Sequence, residues 1–122
     1  MTSRRFARLV SKVLSDLPDS FRQSLSNVDI VVKRRPSPAD YRYAGAKRGV
    51  CLYGLYEGVP LSERGSGYGL VAPDKITLFR EPLERDFPDG RELAEEIRKT
   101  VLHEIAHFFG MSEESVTELG ID

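Results

Sequence analysis

Helical patterns at both ends of the chain, with three short β-rich segments between them, predict an α+β fold. Near the start, Phe6, Leu9, Val10, Val13, Leu14 and Leu17 recur at helical spacing. Segments 27–33, 50–56 and 74–80 concentrate β-branched and aromatic residues between Pro, Gly, Asn and Asp punctuation. A long amphipathic run then begins at Asp89. With 122 residues, one domain spanning 1–122 is expected, near the usual size for a single core. Its arrangement is predicted as a three-stranded mixed sheet packed against an N-terminal helix and a C-terminal helix.

In order, residues 3–17 form an amphipathic helix, broken around Pro18, and a second short turn of helix is predicted from Pro18 to Leu25. Asn27 to Lys33 forms the first strand, with Val28, Ile30 and Val32 on one face. Arg35-Pro36-Ser37-Pro38 ends it, and residues 36–49 are expected to form a loop holding Tyr41, Tyr43 and Gly45. Val50 to Tyr56 is the second strand, where Gly54 signals a bulge or the close approach of another backbone. A loop follows from Gly58 to Gly69, then the third strand from Asp74 to Arg80, and Pro82 to Pro88 leads onward. Asp89 is a good N-cap for the long helix, with Glu92 completing a capping-box pattern. Gly110 stops that helix, and Ser112 caps a last one from Glu113 to Leu119.

Composition narrows the function. Apolar residues make up 40% and charged residues 30%, so a disordered chain or a membrane-spanning one is not expected. The basic stretch Arg4–Arg8 continues into the helical pattern rather than into a signal-peptide apolar region, with a mitochondrial presequence as the weaker alternative. A single cysteine, Cys51, permits no internal disulfide and suits a cytoplasmic setting; its apolar run marks it as a small buried hydrophobe. Charge is asymmetric. Residues 1–80 carry 14 Lys+Arg against 7 Asp+Glu, and residues 81–122 carry 4 against 12. The acidic third provides a favourable field for a divalent cation.

That third holds both histidines, in His103-Glu104-Ile105-Ala106-His107. On a helix, positions i and i+4 lie on one face with Cβ atoms roughly 5–6 Å apart, so both imidazoles can reach one cation. Glu104, one step round, sits beside that cation and can accept a proton from a water it activates. The bland alternative is an ordinary helix with two surface or core-edge histidines. On the wheel His103 and His107 share a face with Glu96 and Thr100, while Ala94, Val101, Leu102, Ile105, Phe108 and Phe109 gather opposite. Catalytic zinc usually has three protein ligands and an open position. Gly110 permits a reversal that brings Glu113 back towards the metal, giving a His103, His107, Glu113 set with Glu114 and Glu118 as weaker candidates. The competing role for Glu113 is a favourable charge at the start of the last helix.

Together, His103 to Glu113 resembles the long zincin signature, with Glu where metzincins carry a third His and without the downstream segment that holds the Met-turn. The short length and late motif resemble the minimal zincin-like metallopeptidases, small bacterial proteins with an acidic third-ligand position. Leu55–Arg64 and Pro73–Arg80 extend the likeness over roughly the last two-thirds of the chain. The resemblance implies an α+β fold with the active-site helix against a small sheet, and a peptide or protein substrate.

The expected activity is therefore zinc-dependent peptide hydrolysis, with one Zn²⁺ as cofactor and Glu104 as general base. An exposed strand edge would take the substrate by strand addition, with Ile76–Arg80 as the candidate. Tyr53, Tyr56, Arg64 and Tyr68 could each stabilise an oxyanion, although each is read first as a packed aromatic or solvated cation. Two alternatives stand beside this reading. One is a metal-binding scaffold with weak activity. The other is a nucleic-acid-binding module built on Lys33, Arg34, Arg35, Arg42, Lys47 and Arg48 with Tyr41 and Tyr43, where a solvated loop is the preferred interpretation.

Overall fold

The computed structural model describes residues 3–25, 28–45, 52–58 and 74–109, leaving aside the side chains of Ser20, Ser24 and Phe108. Their order is α1 (Ser3–Ser15), α2 (Asp19–Ser24), β1 (Val28–Lys33), α3 (Pro38–Ala44), β2 (Gly54–Glu57), β3 (Asp74–Phe79), α4 (Arg80–Asp86) and α5 (Gly90–Phe108). The α+β class is as expected: a mixed three-stranded sheet with the long C-terminal helix against it, and α1 packed mainly on that helix rather than directly on the sheet.

The sheet order is β1-β3-β2. β3 runs parallel to β1, from Val28 opposite Asp74 to Lys33 opposite Phe79, and antiparallel to β2, with Gly54 opposite Leu78 and Tyr56 opposite Ile76. The last strand in sequence is thus the centre of the sheet. It cannot be the substrate edge assigned to Ile76–Arg80, because its backbone groups are paired on both sides and the chain turns helical at Arg80. A signal for this was present. Ile76, Thr77, Leu78 and Phe79 show no polar alternation, as suits a strand buried on both faces, and all four are at most 1% exposed.

The core lies between the sheet and the helices. From α1, Phe6, Val10 and Val13 meet Ile97, Val101 and Leu102 of α5, above Ile76 and Leu78 of β3. The basic N-terminal stretch is thus part of the folded domain, as its apolar spacing predicts. α5 also buries Leu93 and Ile105, whereas Phe109, expected on the same stripe, remains partly exposed.

One expectation of irregular chain is corrected. Residues 38–44, assigned to a loop, form α3, for which the sequence carries a full start signal. The Ser37 hydroxyl accepts from the Asp40 N–H, the Asp40 carboxylate accepts from the Ser37 N–H, and Pro38 supplies a φ already suited to a first turn. Burial of Asp40 works to raise its carboxyl, but the Ser37 N–H and the Lys33 ammonium 2.9 Å away outweigh it and hold the group below its ordinary value. The approach through Pro82, with no element assigned to it from sequence, is helical, as α4, with Leu83 in the core. The second strand covers Gly54–Glu57, overlapping the assigned Val50–Tyr56 at residues 54–56 and running one residue beyond it. The Cys51, Gly58–Gly69 loop and 113–119 helix assignments fall largely or wholly outside the described residues, as does Gly110.

Candidate active site

α5 is the element on which the site is built. Its N-cap, Asp89, accepts from the N–H groups of Arg91 and Glu92, satisfying two of the donors a helix start leaves free. The apolar stripe described above then fixes the helix's rotation, which settles where its polar residues point. Thr100 and Glu104 face β2, while Glu96 and His103 face a cleft beside that strand.

One helical turn apart, the His103 and His107 rings lie with centroids 4.6 Å apart and planes at 61°. Between them Glu104 is nearly buried. Its Oε1 lies 3.4 Å from His107 Nδ1 and its Oε2 lies 3.9 Å from His103 Nε2. The carboxylate is held from the sheet side, where Oε1 accepts the Tyr56 N–H at 2.9 Å. Strand pairing explains why that amide is available. Phe79 N–H donates to the Tyr53 carbonyl, so residues 53, 55 and 57 turn their backbone groups to β3 while Gly54 and Tyr56 turn theirs outward.

Gly54 is what lets the helix come this close. A Cβ there would meet Thr100 Cγ2 at 2.5 Å, the Thr77 carbonyl oxygen at 3.3 Å and Glu104 Cγ at 3.5 Å. A bulge or the approach of another backbone is the expectation at this glycine; the crowding is instead set first by a helix side chain, Thr100.

The group fits a divalent cation. One ligand atom from each of His103, Glu104 and His107 lies within 4.8 Å of the others. The two imidazoles, one helical turn apart, suit two positions of a tetrahedral zinc, and the Glu104 carboxylate beside them is placed to act on a water there rather than to complete the ligand set. Imidazole with carboxylate is zinc chemistry, though manganese, cobalt and nickel accept the same donors. Glu113, Glu114 and Glu118 lie outside the described residues, so the expected third ligand stays an assignment from sequence.

Alongside the site a cleft of about 260 Å³ runs between Leu52, Tyr53 and Gly54 on one wall and the Glu96-to-Glu104 face of α5 on the other. Of the oxyanion candidates, Tyr53 donates its hydroxyl to Asp86 at 2.6 Å and packs edge-on to Phe87. Tyr56 is buried, and Arg64 and Tyr68 fall outside the described residues. Three cations of the basic 33–48 segment have acidic neighbours: Lys33 pairs with Asp40, and Arg34 and Arg35 lie 3.0 and 3.8 Å from Glu81. Among the described residues no helix is long and apolar enough to cross a membrane.

A helix presenting two imidazoles and an anchored carboxylate, on a small mixed sheet, defines a zincin-like domain. The chain belongs to the zincin-like metallopeptidase family, whose sequence model matches residues 25–121. It is similar in structure to a conserved hypothetical protein from Thermus thermophilus, with 23% identity over 99% of this chain and all of that one, and a TM-score of 0.55. At that identity the likeness concerns the fold. No curated protein sequence matches the chain significantly.

Proposed function

We propose that the protein is a zinc-dependent metallopeptidase in which His103, His107 and Glu113 hold one zinc ion and Glu104 is the general base. The observation that carries this is the shared placement of both imidazoles around a nearly buried carboxylate fixed by a strand amide. Zinc, when bound, would polarise the scissile carbonyl and acidify the attacking water. The chain's own residues do the remainder. The Tyr56 N–H fixes Oε1 of Glu104, leaving Oε2 on the His103 side to take the water's proton and pass it to the leaving amine. At β2, an edge strand among the described residues, the outward-facing backbone of Gly54 would offer pairing to an extended peptide, since the Tyr56 N–H is already taken by Glu104.

Glu104→Gln tests the assignment. The variant is expected to keep its metal and to lose cleavage of a peptide library by about 10²–10⁴-fold, as removal of a general base does. His103→Ala is expected to lose metal, measured by elemental analysis of the purified protein. Undiminished cleavage by the Gln variant would refute Glu104 as base, and unchanged metal content in the Ala variant would refute the site. A metal-binding scaffold of low activity is the second reading, favoured by the Tyr53 hydroxyl already being committed to Asp86. It requires wild type and Glu104→Gln to bind metal equally and neither to cleave.

A further inference from the structure

The cleft beside the site has a charged end that the proton-transfer chemistry does not use. Glu96 lies seven residues before His103 on the same face of α5, about 10 Å along the axis. It lines the cleft and is half-buried, and its carboxylate has no hydrogen-bond or ion-pair partner among the described residues. The neighbouring glutamate shows the contrast: Glu95 lies 3.9 Å from Arg98 and points away. The Glu96 carbonyl accepts the Thr100 hydroxyl at 2.8 Å, so the backbone at this end is tied to the wall that leads to the catalytic residues.

We infer that Glu96 makes this cleft a subsite for a basic side chain of the substrate, lysine or arginine. Three features fit that occupant. An extended lysine or arginine side chain covers about two thirds of the roughly 10 Å between His103 and Glu96, and the Glu96 side chain can reach back over the remainder. The opposite wall, Leu52 and the Tyr53 ring, offers apolar surface for a methylene stem, with the cationic head free to reach the carboxylate. The far end carries a half-buried carboxylate with no partner among the described residues. Lys99 also lines the cleft and would favour the opposite sign. It is exposed, however, and an exposed charge is screened by water and salt more than a half-buried one, so Glu96 sets the preference.

The inference rests on the peptidase reading for its substrate, and its test separates the two by measuring binding as well as cleavage. Fluorescein-labelled alanine-based octapeptides carrying one Lys, one Glu or one Leu would be titrated by polarisation against the zinc-supplemented Glu104→Gln protein. The Lys peptide is expected to bind roughly tenfold more tightly than the Leu peptide, the scale of one hydrogen bond to a charged group. In Glu104→Gln/Glu96→Gln that ratio should fall to about one, and Glu96→Lys should invert it towards the Glu peptide. Thermal unfolding of each variant checks that the fold survives. A Lys preference that persists without Glu96, equal binding of all three peptides, or a Glu preference abolished by Lys99→Gln would each overturn the inference. Selective binding without cleavage by the wild type would uphold the subsite while refuting the peptidase reading.

Discussion

Gly54→Ala is the smallest change that tests how the site is assembled. Gly54 is not among the positive-φ glycines, so its backbone accepts alanine, and the lower entropy of the unfolded chain would by itself stabilise the protein by about 0.4–1 kcal/mol. Space decides otherwise. The new methyl would lie 2.5 Å from Thr100 Cγ2 and 3.3 Å from the Thr77 carbonyl oxygen, and the first distance requires something to move. Overpacking of this kind costs about 2 kcal/mol at mid-range, which leaves a net loss on the order of 1 kcal/mol. Urea denaturation of wild type, Gly54→Ala, Thr100→Ser and the double variant reads this directly. Serine lacks Cγ2 but retains the hydroxyl that donates to the Glu96 carbonyl, so the double variant should be more stable than additivity predicts by about 0.5 kcal/mol or more. Gly90→Ala is the control. Nothing lies within 4 Å of its Cβ position, so it should be neutral or stabilising. If Gly54→Ala unfolds at the wild-type urea concentration, or if the two substitutions are additive, the close approach of α5 to β2 does not constrain this glycine.

Three further outcomes follow from local contacts. Asp89→Ala removes the side-chain acceptor for two N–H groups at the head of α5 and should cost about 0.5–2 kcal/mol in denaturant unfolding. Ser37→Ala should lower stability on the same scale, because the hydroxyl accepting from the Asp40 N–H is lost from the α3 cap. Asp40 ionises more readily in the folded protein than the ordinary value of 3.8, so its charged form contributes stability above that pH. The contribution is lost as pH falls below 3.8 and through the depressed folded value. The stability gap between wild type and Asp40→Asn should therefore be open at neutral pH and close in acid; a gap that widens in acid would contradict the direction.

The metal-binding motif is legible in the sequence because its chemistry is local: His103 and His107 become neighbours as soon as the segment is helical. The α+β class follows from periodicities that are also local. Pairing is less legible. Apolar alternation identifies three strands but not their order, and the strand with the least alternation, Asp74–Phe79, is the central one. Reading that absence as burial on both faces rules out β3 as an edge. α3 is hidden for another reason. Two prolines at 36 and 38 read as helix breakers, yet Pro38 falls at the start of the helix, where a missing N–H costs nothing.

The Tyr56 amide, which fixes Glu104, has no side-chain signature at all. Its availability depends on which residues of β2 pair with β3, a property of register rather than of residue type. α5 consequently carries three stripes where the helical wheel shows two. Leu93, Ile97, Val101 and Ile105 enter the core, Glu96 and His103 face the cleft, and Thr100 with Glu104 occupies the boundary against β2. Each helical residue advances about 100°, so placing the carboxylate at 105 would send it into the core and placing it at 103 would remove an imidazole. The order His-Glu at 103–104 is thus fixed by two demands at once. The imidazole must face the cleft, and the next residue must reach an outward amide of the neighbouring strand across a glycine that leaves it room.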